Sequence, residues 1–303
     1  MRMLIALMLL TLAALPACST SSRSAGVGDV LPGLVLRDIA VANGTIHVEV
    51  SEGGGAAVLL VHGGFGDRRM WGPQFDGLLP GARIVRMDLR GFGESSFPTA
   101  PYSATDDVLA VLDALAIAKA HIVGNSMGGA LAIDFALAHP ERVASLVVEA
   151  SGPNGYPDDP AERAKFQPEI DAIVAVFATA AAEGAARGAT LWKEHPMVAV
   201  AHADPRVAPL LHEMIDDNVR IFSMQHWPDD DKRAVGRLGE LRVPTLFVVG
   251  DRDIALVRAA VAFGAARIAG ARVETIAGTD HLPHLERPEE FNRIVRAFID
   301  AHD

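Results

Sequence analysis

The sequence predicts an α/β fold: a mostly parallel, eight-stranded sheet with helices on both faces and an inserted helical lid. Three observations predict it. Continuous apolar runs of strand length recur with helical patterns between them, the alternation that a parallel sheet requires. The alternation stops after Ser151 and resumes near Val243, leaving a block with no clear buried strand. The stretch "HIVGNSMGGA", His121 to Ala130, passes from strand text to helix text through a serine between glycines.

The first residues stand apart from this pattern. Arg2 precedes an apolar run from Met3 to Leu15, too short and wrongly flanked to span a membrane and laid out as a secretory signal. "LPAC", Leu15 to Cys18, resembles a bacterial lipoprotein box, departing from it at Pro16. The expectation is a signal over residues 1–18, lipidation at Cys18, and a polar tether over 19–33. This places the protein as exported, periplasmic or in the cell envelope, with the membrane reached only through that anchor. Cys18 is the one cysteine of the chain, so no disulfide holds the fold.

"LVLRDIAV" and "TIHVEV" read as two strands joined by the turn "ANG". "AAVLLVHGG" is a run apolar throughout, as a strand buried on both faces should be. "ARIVRMDLRG" gives the next strand. In "SATDDVLAVLDALAIAKA", Ser103, Thr105, Asp106 and Asp107 suit a helix start, and Val108, Val111, Leu112 and Leu115 recur at helical spacing. "HIVGN" is a strand, "MGGALAIDFALAHP" a helix stopped at Pro140, and "ASLVVEA" a strand. Residues 153–238 hold Ala-rich helical text and are expected to form a cap or lid inserted into a core of 34–152 and 239–303. "VPTLFVVG", a helix near 256–268, "RVETIAG" and "PEEFNRIVRAFIDAH" complete the alternation.

Half of the 303 residues are hydrophobic, ample for a large core, and the formal charge of −11 argues against a nucleic-acid partner. The chemistry is concentrated in loops that follow strands. Gly124-Asn125-Ser126-Met127-Gly128 fits G-x-S-x-G in the strand–turn–helix setting that this motif needs. So sharp a turn lifts the serine oxygen out of the sheet, and the flanking glycines let backbone pass close by. After another strand comes His62-Gly63-Gly64-Phe65-Gly66. There the N–H of Gly64 or Phe65, together with that of Met127, can form an oxyanion hole, each donor worth roughly 3–4 kcal/mol to the barrier. His62 itself is expected to bond local backbone. Asp253, in a loop after "TLFVVG", can orient a histidine, with Asp251 and Glu149 as rivals. His281, in "AGTDHLPHLERPEEF", is the candidate base and His284 its rival. The order Ser…Asp…His separates this arrangement from those of chymotrypsin and subtilisin.

Over about residues 34–302 the chain resembles the α/β-hydrolase superfamily, through "LLVHGGFGD", "RMDLRGFGESS", "HIVGNSMGGALAIDFALAHPERVASLVV", "PTLFVVGDRD" and "HLPHLERPEEF". The resemblance implies that the histidine of H-x4-E-x-P, here His281 with Glu286 and Pro288, is catalytic, and that the acid is Asp253. A serine in place of an aspartate nucleophile argues against epoxide or haloalkane chemistry. The expected reaction is cleavage of a carboxylic ester or lactone of a small to medium apolar substrate by Ser126, His281 and Asp253 through an acyl-enzyme, with no metal or organic cofactor. "GNSMGG" also resembles the elbow of carbon–carbon bond hydrolases, and "SMGG" that of cofactor-free haloperoxidases and perhydrolases. A non-catalytic binding protein of the same fold is a further alternative. Trp192, Met197, Phe222, Met224 and Trp227 are candidates to line an acyl pocket, with Trp192, Phe222 and Trp227 foremost.

Overall fold

The computed structural model describes residues 34–78, 80–228 and 234–303. The apolar leader, Cys18 and the tether lie outside the described residues. One sheet organises the chain. Its strands are β1 (Leu34–Val41), β2 (Gly44–Ser51), β3 (Ala57–Val61), β4 (Arg83–Met87), β5 (Ala120–Asn125), β6 (Val143–Glu149), β7 (Thr245–Gly250) and β8 (Arg272–Ile276). They lie side by side in the order β1-β2-β4-β3-β5-β6-β7-β8. β2 is antiparallel to both neighbours, and every pairing from β4 across to β8 is parallel.

The helices are α1 (Gly72–Gly77), α2 (Ala104–Ala114), α3 (Met127–Ala138), α4 (Pro160–Lys165), α5 (Gln167–Glu183), α6 (Ala185–Lys193), α7 (Ala199–Ala203), α8 (Ala208–Asp217), α9 (Ala255–Ala265), α10 (Pro283–Glu286) and α11 (Pro288–Asp300). Coverage of both faces buries every residue of β5 and β7 and all of β3 after Ala57. This is why those strands read as unbroken apolar runs. β1 and β8, at the two edges, are largely exposed. Between β6 and β7 the described residues form α4 to α8 and short 3₁₀ turns, with no strand. No helix among the described residues is long and apolar enough to cross a membrane.

α2 begins as its sequence predicts: the Ser103 side chain accepts the Asp106 N–H. It ends earlier than its apolar text suggests. Ala116 takes a left-handed φ of 53° and the Ile117 N–H turns back to the Leu112 carbonyl at 2.8 Å. That closure usually carries glycine, and here the chain places an alanine in it.

The register brings the functional loops together. Val61 of β3 pairs with Gly124 of β5, Asn125 with Glu149 of β6, Glu149 with Val248 of β7, and Gly250 with Ile276 of β8. All these strands run the same way, so the segments that follow them leave from one rim. The order also reverses direction around β3, and such a switch point leaves a crevice outside the strands' carboxyl ends.

Candidate active site

The serine sits on that rim in a strained turn. Ser126 has φ 50° and ψ −115°, directly between β5 and α3. A non-glycine residue held there costs on the order of 1–3 kcal/mol and persists only where its surroundings dictate it. Those surroundings are visible. The Ser126 N–H donates to the Glu149 carbonyl at 2.8 Å. Its own carbonyl accepts from the Ala130 N–H at 3.0 Å and from Ser151 Oγ at 2.6 Å. Two glycines make the approach possible. A Cβ on Gly124 would lie 2.4 Å from the Gly128 carbonyl oxygen, and one on Gly128 would lie 2.3 Å from that of Val61.

His281 and Asp253 complete a hydrogen-bonded chain. His281 Nε2 lies 2.9 Å from Ser126 Oγ, and His281 Nδ1 lies 2.8 Å from Asp253 Oδ2. An ionised carboxylate only accepts, so Nδ1 carries the proton and Nε2 is left to accept from the hydroxyl. Asp253 is held in turn: its Oδ1 accepts the Ile254 N–H at 2.7 Å. The three residues come from loops after β5, β7 and β8, which the register has placed side by side. Burial of His281 opposes its protonation, but the Asp253 carboxylate outweighs this through charge and hydrogen bonding, and the imidazole titrates above its ordinary 6.5.

The rivals are engaged elsewhere. Asp251 Oδ1 accepts the Gly278 N–H at 2.7 Å, bracing the loop after β8. Glu149 faces His284: its Oε2 lies 2.8 Å from Nδ1, and its Oε1 accepts the His284 N–H at 2.9 Å. Asn125 Nδ2 ties this pair to the neighbouring loop, donating to Glu149 Oε2 at 3.2 Å and to the His281 carbonyl at 3.1 Å. His62 does bond local backbone, through Nδ1 to the Gly63 carbonyl at 2.7 Å and through Nε2 to the Leu89 N–H at 2.9 Å. Two roles escaped the sequence reading, in which Glu286 served only to mark the spacing to His281. Glu286 accepts the Asp280 and Leu282 N–H groups, and burial followed by its bond with Asp280 raises its carboxyl well above the usual range. Asp280 in turn accepts the N–H groups of His281 and of Val200, joining the histidine loop to α7.

The oxyanion side is built on the loop after β3. Gly64 and Phe65 border the same cavity as Ser126 and Met127. Among the described residues, none of the N–H groups of Gly64, Phe65 and Met127 donates to a protein acceptor. Phe65 stands at φ 61°, which few bulky residues adopt.

The cavity over Ser126 measures about 190 Å³. Met70, Phe177, Trp192, Met197, Met214 and Trp227 form much of its apolar wall, and the side chains of Asn125, Ser126 and His281 supply its polarity. Among the described residues no Lys, Arg, Asp or Glu borders it. Trp192, Trp227 and Met197 therefore stand where the sequence expects them. Phe222 and Met224 do not. Phe222 packs one layer back, its ring centroid 5.2 Å from Phe65 and 5.4 Å from Phe177, and Met224 lies against Gly91. Both are apolar residues of the right block, and neither borders the cavity.

A serine on a strained strand-to-helix turn, hydrogen-bonded to a histidine that a carboxylate orients at the rim of such a sheet, defines an α/β hydrolase. The chain belongs to the alpha/beta hydrolase family, whose pattern matches residues 58–294. It is 27% identical over 282 residues to a Bacillus subtilis (strain 168) protein named provisionally a 2-succinyl-6-hydroxy-2,4-cyclohexadiene-1-carboxylate synthase, covering 87% of this chain and 98% of that one. It is 28% identical over 277 residues to a 2-hydroxy-6-oxononadienedioate/2-hydroxy-6-oxononatrienedioate hydrolase of Paraburkholderia xenovorans, covering 85% and 91% of the two chains. Among solved structures it is similar to a thermophilic esterase from Thermogutta terrifontis, with a TM-score of 0.70, 26% identity, and 89% and 100% coverage.

Proposed function

We propose that this hydrolase cleaves a carboxylic ester or lactone of a small to medium apolar substrate. The observation that carries the reading is the unbroken Ser126–His281–Asp253 chain opening into a cavity that no Lys, Arg, Asp or Glu among the described residues borders. His281 takes the hydroxyl proton as Ser126 Oγ attacks the carbonyl carbon. The N–H of Met127, with that of Gly64 or Phe65, holds the oxyanion. Collapse expels the alcohol with the proton from His281, and water activated by the same imidazole then releases the acid. Purified protein should turn over p-nitrophenyl esters of short to medium chain, and a fluorophosphonate should label Ser126. Zero turnover across the ester and lactone panel would count heavily against the reading.

Carbon–carbon bond hydrolysis is the second reading, favoured by the name of the Paraburkholderia relative. The cavity weighs against it. That relative's substrate is a dicarboxylate by name, and among the described residues no Lys or Arg borders the cavity to offset the several kcal/mol that burying an ionised carboxylate among apolar walls costs. Specificity for p-nitrophenyl pentanoate should exceed that for the succinate half-ester, which ends in a carboxylate, by about 100-fold in kcat/KM. The reverse preference would favour the second reading.

Residues 153–238 act, in this reading, as the cap that sets the acyl pocket. The chain is further proposed to be exported and lipid-anchored at Cys18, which rests on "LPAC" at the end of the apolar run. Mass spectrometry of the mature protein should find a diacylglycerol on Cys18, and a free N-terminus at Ser19 would refute it.

A further inference from the structure

Phe65 connects the oxyanion side of the site to the block between β6 and β7. Phe65 is 4% exposed, and its ring lies within a cluster of three aromatic rings from that block. Trp192 stacks on it at 4.6 Å and 28°, Phe222 lies at 5.2 Å and Phe177 at 5.9 Å. Its backbone is at φ 61°, where nothing intrinsic to phenylalanine would keep it. Trp192 and Phe177 also wall the cavity, so a substrate would touch them. Phe222 does not. It is held from behind instead: a Cβ on Gly188 would come within 2.8 Å of its ring tip. Two residues earlier, the Arg220 guanidinium donates to the carbonyls of Gly91, Gly93 and Ser95 at 2.9, 2.7 and 3.1 Å, fixing this stretch to the core.

We propose that Phe222 is a positioning residue for the oxyanion side of the site: its ring, anchored to the core and remote from substrate, keeps Phe65 in its left-handed conformation and so aims the loop N–H groups at the carbonyl oxygen. The proposal rests on the hydrolase reading above. The pressure that offsets the strain at Phe65 comes from a ring that binds no substrate, so losing it affects the developing charge and leaves ground-state binding in place.

The test compares wild type with Phe222→Ala and Phe222→Leu on p-nitrophenyl butyrate, with propylboronic acid as a tetrahedral mimic. Phe222→Ala should lower kcat by about tenfold or more, less than the roughly 100- to 1,000-fold of a deleted donor, with KM changed by less than about threefold. Inhibition by the boronic acid should weaken in the same proportion as kcat. Should the alanine variant fail to fold, Phe222→Leu carries the same expectation. An active wild type whose Phe222→Ala and Phe222→Leu variants keep kcat, or lose kcat and KM together with boronic acid affinity intact, overturns this proposal alone. A wild type that neither cleaves ester nor takes up a fluorophosphonate overturns the hydrolase reading and this proposal with it.

Discussion

Two histidines three residues apart each bond a carboxylate, and the structure gives them opposite surroundings. His281 pairs with Asp253, and its second nitrogen meets Ser126 Oγ at the floor of the cavity. His284 pairs with Glu149, wholly buried, and its ring lies 4.3 Å from that of Trp71. Among the described residues its Nε2 has no hydrogen-bond partner. The carboxylate–imidazole unit is common to both. What separates a base from a brace is the group facing the far nitrogen and the access of that group to substrate.

The comparison breaks most visibly at the far nitrogen. Ser126→Ala and His281→Ala should each cut kcat by about 10⁴-fold or more; Ser126→Ala should leave Tm unchanged, whereas His281→Ala takes a partner from the buried Asp253 carboxylate and should also lower Tm. The same loss in kcat for His284→Ala, in a protein of unchanged melting temperature, would show that the roles have been assigned to the wrong histidines.

The second histidine should instead report in stability. Glu149→Gln replaces an acceptor with an amide whose NH₂ meets the donors of Asn125 and His284. Breaking a buried pair of this kind costs about 3 kcal/mol or more, roughly 6–12 °C in Tm for a chain of this size. At low temperature its kcat should stay within about tenfold of wild type. Thermal denaturation followed beside initial rates separates the two pairs. An unchanged Tm would mean that the Glu149–His284 contact contributes little to stability.

Much of this arrangement is legible in the sequence, and the remainder is hidden for physical reasons. The central strands are readable because burial on both faces leaves no polar position in Val58–Val61 or Leu246–Val249. Gly124 and Gly128 mark the elbow because any Cβ there would strike backbone. His281 is singled out by its distance from Glu286 and Pro288. The Glu149–His284 pair leaves no such trace, since its members are 135 residues apart and meet only through the sheet register. Phe222 shows a related limit: an apolar residue in the right block is legible, but the layer it occupies is not. The early end of α2 is missed because an alanine fills a position where glycine would announce it.

The smallest effect to measure sharpens the comparison most, because it reads the proton on His281 directly. The Asp253 carboxylate outweighs burial and holds this imidazole above its ordinary 6.5. Catalysis needs Nε2 neutral, so kcat/KM should rise with pH through a midpoint above 6.5. Stability runs the other way. A group whose pKa is raised by folding contributes stability that is complete below its unfolded value and is lost as pH climbs through the folded one. The protein should therefore lose a little stability over the pH range in which it gains activity. Asp253→Asn removes the group that raises the pKa and leaves burial, which lowers it, so the residual activity should have its midpoint shifted to lower pH. A midpoint that stays in place in Asp253→Asn would mean that another carboxylate sets the proton affinity of His281. Asp280, and after it Glu149, whose charges also favour the imidazolium, are the ones to substitute next.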